Sequence, residues 1–174
     1  SPSLQASSLL PPQQSTMPDS LPPLPPRDPA GHKGTFGTAL IVGGCARTDA
    51  RMFGAPALSA RAALRSGVGL AKLLCPEPVL THAIAFCPSA TGRALPVNET
   101  DSDLIPHHAA EIFDDASADA DVIAIGPGLG QSEPARTLTL RALNQTDTPV
   151  VADADALNLL ASTNELHLDL HAQA

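Results

Sequence analysis

The chain has 174 residues, enough for one ordinary domain with a real core and hardly for two. Hydrophobic residues make up 43% and aromatics 2%, with no Trp or Tyr, so the core must rest on Ala, Leu, Val and Ile. That style suits close helix-on-sheet packing better than a β-sandwich, and a formal charge of −8 without a basic cluster argues against general nucleic-acid binding.

Residues 1–29 hold nine of the eighteen prolines, mixed with Ser and Gln and ending in Leu21-Pro22-Pro23-Leu24-Pro25-Pro26. Proline removes amide donors and fixes φ, so this stretch reads as an extended, disordered leader. Its Pro-Pro steps also suit an SH3-type ligand, and Met17 is an alternative start. The given N-terminus has no basic region followed by an apolar one, so a secretory signal is not expected there, and no uninterrupted apolar run is long enough to cross a bilayer.

From residue 30 the chain alternates strand and helix. Thr38 to Gly43 is a nearly continuous apolar run ending in glycine, the pattern of a strand buried on both faces. Gly54 to Ser66 reads as a helix, with Leu58, Ala62 and Leu64 at helical spacing, Arg61 and Arg65 on a polar edge, and Gly67 at the C-cap. Val68 to Cys75 is a second strand and Pro78 to Phe86 a second helix. Pro106 to Ala118 is an acidic amphipathic helix, Asp121 to Gly126 a strand, and Glu133 to Leu143 a helix. Pro149 to Asp153 is a strand running into a helix from Asp155 to Leu160; the tail to Ala174 fits no single element. Alternation of this kind implies a mostly parallel α/β sheet with helices on both faces and right-handed crossovers.

Three segments follow strands directly: Gly43-Gly44, Gly126 to Gly130, and Asp153-Ala154-Asp155. Ligands of open parallel sheets bind at the carboxyl ends of strands, so these segments are expected to line one cleft. Gly126-x-Gly128-x-Gly130 lets backbone amides approach an anion, or is simply a tight turn. It is neither a dinucleotide fingerprint nor a P-loop. Asp153 and Asp155 suit a magnesium ion, a ribose hydroxyl or a general base; alternatively Asp155 caps the helix that follows it.

Other features carry blander readings beside the functional ones. Lys33 in His32-Lys33-Gly34 suits a phosphate or is a solvated loop lysine. His107, His108 and Glu111 have metal-like helical spacing but no third ligand nearby, which favours a solvated face. Cys45 follows Gly44 at a strand end, with no base beside it in sequence. With Cys75 and Cys87 it makes an odd set without a C-x-x-C pair, as expected of a reduced cytoplasm.

Taken together, the chain resembles the NAD(P)H-hydrate dehydratase family, which has a ribokinase-like fold. The likeness runs from His32-Lys33-Gly34-Thr35-Phe36-Gly37 through Gly54-Ala55-Pro56-Ala57-Leu58, Arg65-Ser66-Gly67-Val68-Gly69 and Gly126-Pro127-Gly128-Leu129-Gly130 to Asp153-Ala154-Asp155-Ala156-Leu157-Asn158. It implies use of ADP or ATP with Mg2+, and action on the 6-hydroxy hydrate of NADH or NADPH (NADHX, NADPHX). Ala55 and Gly128 match positions that contact the hydrate. Gly126, Gly130, Asp153 and Asn158 belong to segments that line the same cleft. Homo-oligomers are implied too.

The chain departs from the family pattern in places. Cys45 stands where the family has Ser, and no G-x-G-D, the motif of the anion hole and the expected catalytic aspartate, occurs in the sequence. Pro106-His107 lies too early to be the family's substrate histidine. The chain is therefore expected to be a C-terminally truncated, N-terminal portion (residues 30–174) of a stand-alone dehydratase. Two other readings are a hydroxymethylpyrimidine or hydroxyethylthiazole kinase of the same fold, and a non-catalytic nucleotide-binding remnant.

Overall fold

The structure is a computed structural model that describes residues 26–163. The expected leader falls almost wholly outside those residues, as does the tail from residue 164. Five parallel strands form one sheet: β1 (Thr38–Val42), β2 (Leu70–Pro76), β3 (Thr91–Leu95), β4 (Val122–Ile125) and β5 (Val150–Ala152), in the order β3-β2-β1-β4-β5. The helices are α1 (Gly54–Ser66), α2 (Glu77–Phe86), α3 (Pro106–Ser117), α4 (Glu133–Leu143) and α5 (Asp155–Ala161).

Central β1 explains why its sequence is apolar throughout: every residue of Thr38–Val42 is buried. Alternate side chains serve opposite faces. Leu40 and Val42 join Leu74, Leu95, Phe113, Ile123, Ile125, Leu138 and Leu159 under α3, α4 and α5. Ala39 and Ile41 join Leu73, Ala57, Ala60, Val79 and Ala83 under α1 and α2. Fully burying a side chain such as Phe113 stabilises by roughly 1.5–3 kcal/mol. Asp121 holds the start of β1, accepting from the Thr38 N–H at 2.7 Å.

Helix α1 spans the expected residues and ends at Gly67, whose N–H reaches the Ala63 and Leu64 carbonyls. Its buried face is a different one, however. Pro56, Ala57 and Ala60 face the sheet, whereas Leu58 is 64% exposed and Ala62 is exposed as well. Small side chains win the inner face because they let the helix axis come close to the strands. Strand β3 was not anticipated. Thr91-Gly92-Arg93-Ala94-Leu95 has no apolar run, and it is a strand because Thr91 to Leu95 pair with Lys72 to Pro76 of β2 at the sheet edge.

The topology places the site. The chain runs outward from β1 to β2 and β3, then returns across β1 to β4 on its other side. Loops leaving β1 and β4 therefore diverge toward helices on opposite faces, and a crevice opens between them at the strands' carboxyl ends.

Candidate functional site

The three segments expected to meet do meet in this crevice. The Gly44 N–H donates to the Pro127 carbonyl at 3.0 Å, and the Asp153 N–H to the Ile125 carbonyl at 3.0 Å. Gly126 has φ +116° and lies so close to the β5 loop that a β-carbon there would stand 1.9 Å from the Asp153 carbonyl oxygen. Only glycine lets these two backbones pack.

Gly126 to Leu129 form a tight turn, closed by the Leu129 N–H on the Gly126 carbonyl at 3.0 Å. Proline in its second position and Gly128 at φ +63° in its third are what a type II turn requires. The loop is the tight turn that the sequence allows, and most of its amides are already engaged. Leu129's amide closes the turn, Gly130's donates to Asp155 Oδ2 at 2.9 Å, and Ser132 Oγ accepts from the Ala135 N–H at 3.4 Å. Pro127 and Pro134 have no amide to offer.

Asp155 does not cap α5. The capping position is Ala154, at φ +48° and ψ −115°, a conformation costly for a residue with a β-carbon. Asp155 instead reaches across to the glycine turn. Its Oδ1 lies 3.4 Å from both Gln131 Nε2 and Asn158 Nδ2, long contacts beside the short one to Gly130. Asp153 is exposed, and among the described residues its carboxylate accepts no hydrogen bond.

Ala55 and Gly128 come together. A β-carbon at 128 would stand 3.2 Å from that of Ala55 and 3.0 Å from that of Met52. Beside them opens a cavity of about 300 Å³ lined by Cys45, Arg47, Met52, Gly130, Ser132 and Asp155. Gly126 and Gly128 are buried and do not line it, and Asp153 and Asn158 lie exposed toward the β5 side. Arg47 binds Asp49 through Nε (2.9 Å) and Nη2 (2.8 Å), which raises the guanidinium's pKa and holds the Asp49 carboxyl below its usual range. Cys45 is buried, and desolvation pushes its thiol up, so it rests protonated rather than as a nucleophile.

The remaining candidates lie elsewhere. Lys33 begins a short 3₁₀ turn (Lys33–Phe36) before β1, at the amino ends of the strands and so opposite the crevice. His107 Nε2 pairs with Glu111 at 3.3 Å on an exposed helix face. Among the described residues no three His, Cys, Asp or Glu side chains converge as metal ligands. Sequence reasoning missed Arg47, Met52 and Ser132. Ser132 could have been found as the N-cap before Glu133-Pro134, whereas Arg47 and Met52 lie in a loop without periodicity.

The fold and the crevice define a ribokinase-like α/β protein. A ribokinase-like protein from Enterococcus faecalis superposes with a TM-score of 0.62 at 25% identity, over 78% of this chain and 43% of that one. An ADP/ATP-dependent NAD(P)H-hydrate dehydratase from Bacillus subtilis, crystallised with ATP and Mg2+, gives 0.56 at 34% identity, over 77% and 43%. The sequence pattern of the NAD(P)H-hydrate dehydratase family matches residues 39–173, and the chain belongs to that family. It is 39% identical over 146 residues to a bifunctional NAD(P)H-hydrate repair enzyme of Salinibacter ruber, covering 83% of this chain and 25% of that protein. The Escherichia coli counterpart is 38% identical over 139 residues, covering 79% and 23%. The chain thus spans about a quarter of the length of these relatives.

Proposed function

We propose that this chain forms the hydrate-binding wall of an NAD(P)H-hydrate dehydratase, a hydro-lyase that restores NADH or NADPH from its 6-hydroxy hydrate at the expense of ADP or ATP. The hydroxyl at carbon 6 takes a phosphoryl group from the nucleotide. Phosphate then leaves with the carbon–oxygen bond electrons, a proton leaves the neighbouring carbon, and the ring double bond returns. The observation that carries the reading is the contact of Ala55 with Gly128 at the switch point of the sheet. Those are the two positions the family resemblance assigns to the hydrate.

The division of labour follows from the donors present. Asp155 is engaged with Gly130, and exposed Asp153 is the carboxylate that would meet a magnesium ion carried on the nucleotide's phosphates, since magnesium is commonly held by one or two carboxylates and phosphate oxygens. In the glycine turn the Leu129 and Gly130 amides are already engaged, which leaves the Gly128 amide to meet a ligand. These residues bind and orient the hydrate, and no step through magnesium is assigned to them. Three unpaired, buried thiols support a reducing, cytoplasmic setting, and a homo-oligomer is the assembly the family resemblance supports.

The test is a calorimetric titration of the chain with NADH hydrate, alongside hydroxyethylthiazole and hydroxymethylpyrimidine as controls. Recovery of reduced-nicotinamide absorbance with ADP or ATP and Mg2+ is followed in parallel. Binding of the hydrate and not the controls supports the reading. Binding of neither, or of the controls alone, sinks it.

A further inference from the structure

We infer that Asp103 is a positioning residue of the crevice, setting the separation of its two walls by holding Arg47 of the β1 loop and Ser132 of the β4 loop at once. The inference rests on the function proposed above.

Asp103 lies in the connection between β3 and α3, far in sequence from both walls, yet it is only 8% exposed. Its Oδ2 accepts from Arg47 Nη1 at 2.9 Å. Its Oδ1 accepts from Ser132 Oγ at 2.9 Å and from the Leu104 N–H at 2.8 Å. A buried carboxylate with three donors is well compensated, and removing it leaves Arg47 and Ser132 with unmet hydrogen-bonding capacity. The segment carrying it is itself braced. Val97 and Leu104 bridge antiparallel, Asn98 donates its N–H to the Asp103 carbonyl at 2.9 Å, and the Asp103 N–H donates to Asp101 Oδ1 at 3.1 Å. That last bond is the main reason the Asp101 carboxyl stays below its usual range. A second tie reaches the same wall, from the Thr48 N–H to the Asp101 carbonyl at 3.0 Å.

The arrangement positions as well as supports. Arg47 and Ser132 both line the cavity, and they come from loops that diverge to opposite faces of the sheet. Among the described residues no hydrogen bond joins Arg47 to Ser132, so Asp103 is what couples them. Asp49 holds the outer side of the same guanidinium, and Asp103 draws its other nitrogen inward.

The coupling is what the experiment reads. NADH hydrate is titrated into the chain and into its Arg47→Ala, Ser132→Ala and double variants, each with Asp103 intact and with Asp103→Asn. The asparagine keeps one acceptor oxygen and so guards against simple unfolding, which urea titration checks. With Asp103 intact the two substitutions are expected to be non-additive by roughly fivefold in affinity, and with Asp103→Asn to become additive. Without ligand, Asp103→Asn is expected to speed amide exchange at Thr48 and at Ala135, whose N–H donates to Ser132 Oγ, while leaving β1 protected. Additive effects with Asp103 intact, or exchange unchanged by Asp103→Asn, overturn the inference. Failure of the parent chain to bind the hydrate overturns the proposed function instead, and with it any role for Asp103 in binding; exchange then still reads the tie itself.

Discussion

Gly128 lies directly against Ala55: a β-carbon added to the glycine would stand 3.2 Å from the alanine methyl. The two residues are 73 positions apart, Ala55 in the first turn of α1 and Gly128 in the loop after β4. Their contact packs the turn after β4 against the start of α1, next to cavity-lining Met52.

Replacing Gly128 with Ala therefore makes a double demand. The residue sits at φ +63°, and the new methyl presses on both Ala55 and Met52. A stability loss of about 1–2 kcal/mol is expected from the left-handed backbone alone. Hydrate affinity should fall about tenfold, the scale of one methyl group in a formed pocket. Urea titration measures the first and calorimetry the second. A variant as stable and as tightly binding as the parent would show that this close packing shapes neither the fold nor the site.

Asp155 is expected to act on the turn rather than on its own helix. Asp155→Ala removes the carboxylate that meets Gly130's N–H at 2.9 Å and should cost about 1 kcal/mol. Asp155→Asn keeps a neutral acceptor and should cost less. Amide exchange at Gly130 separates this from a helix-dipole effect. It should quicken in the alanine variant, whereas an acid acting only on the N-terminus of α5 would leave it unchanged.

Much of this architecture was legible because the chain is locally consistent. The uninterrupted apolar run of β1, the Gly67 stop of α1 and the Glu133 to Leu143 helix are written in neighbouring residues. The meeting of Gly44, Pro127 and Asp153 followed from one rule of parallel sheets. What escaped was decided by partners distant in sequence. Strand β3 exists through its pairing with β2, and Asp103 works through Arg47 and Ser132. The inner face of α1 differs from the expected one because helical spacing favours Leu58, while close packing on the sheet favours Ala57 and Ala60.

The two faces of α1 give a direct comparison. Leu58→Gln, at an outward position 64% exposed, should change stability by no more than about 0.5 kcal/mol. Ala60→Leu, at a position with no exposed surface, forces three extra carbons between α1 and the sheet and should cost about 1–3 kcal/mol or more. Thermal or urea unfolding of the two variants settles it. The opposite order would place Leu58 in the core and reverse the helix.

The last prediction concerns acid. Asp114 of α3 accepts two hydrogen bonds from Arg141 of α4, the Nε bond at 2.6 Å, and this pairing holds its carboxyl below the usual range. A carboxyl with a lowered folded-state pKa contributes stability in full above its unfolded value, near 3.8, and loses it as pH falls through the folded value. Both side chains are nearly half exposed, at 44% and 46%, so solvent screening limits the contribution to at most about 1 kcal/mol. Asp114→Asn should accordingly be less stable than the parent at neutral pH. The gap should stay constant down to about pH 5, close below pH 4, and narrow in high salt. Urea midpoints measured for both proteins across that range test it. A gap that persisted undiminished at pH 2 would mean that Asp114 serves packing between the two helices and not an ion pair.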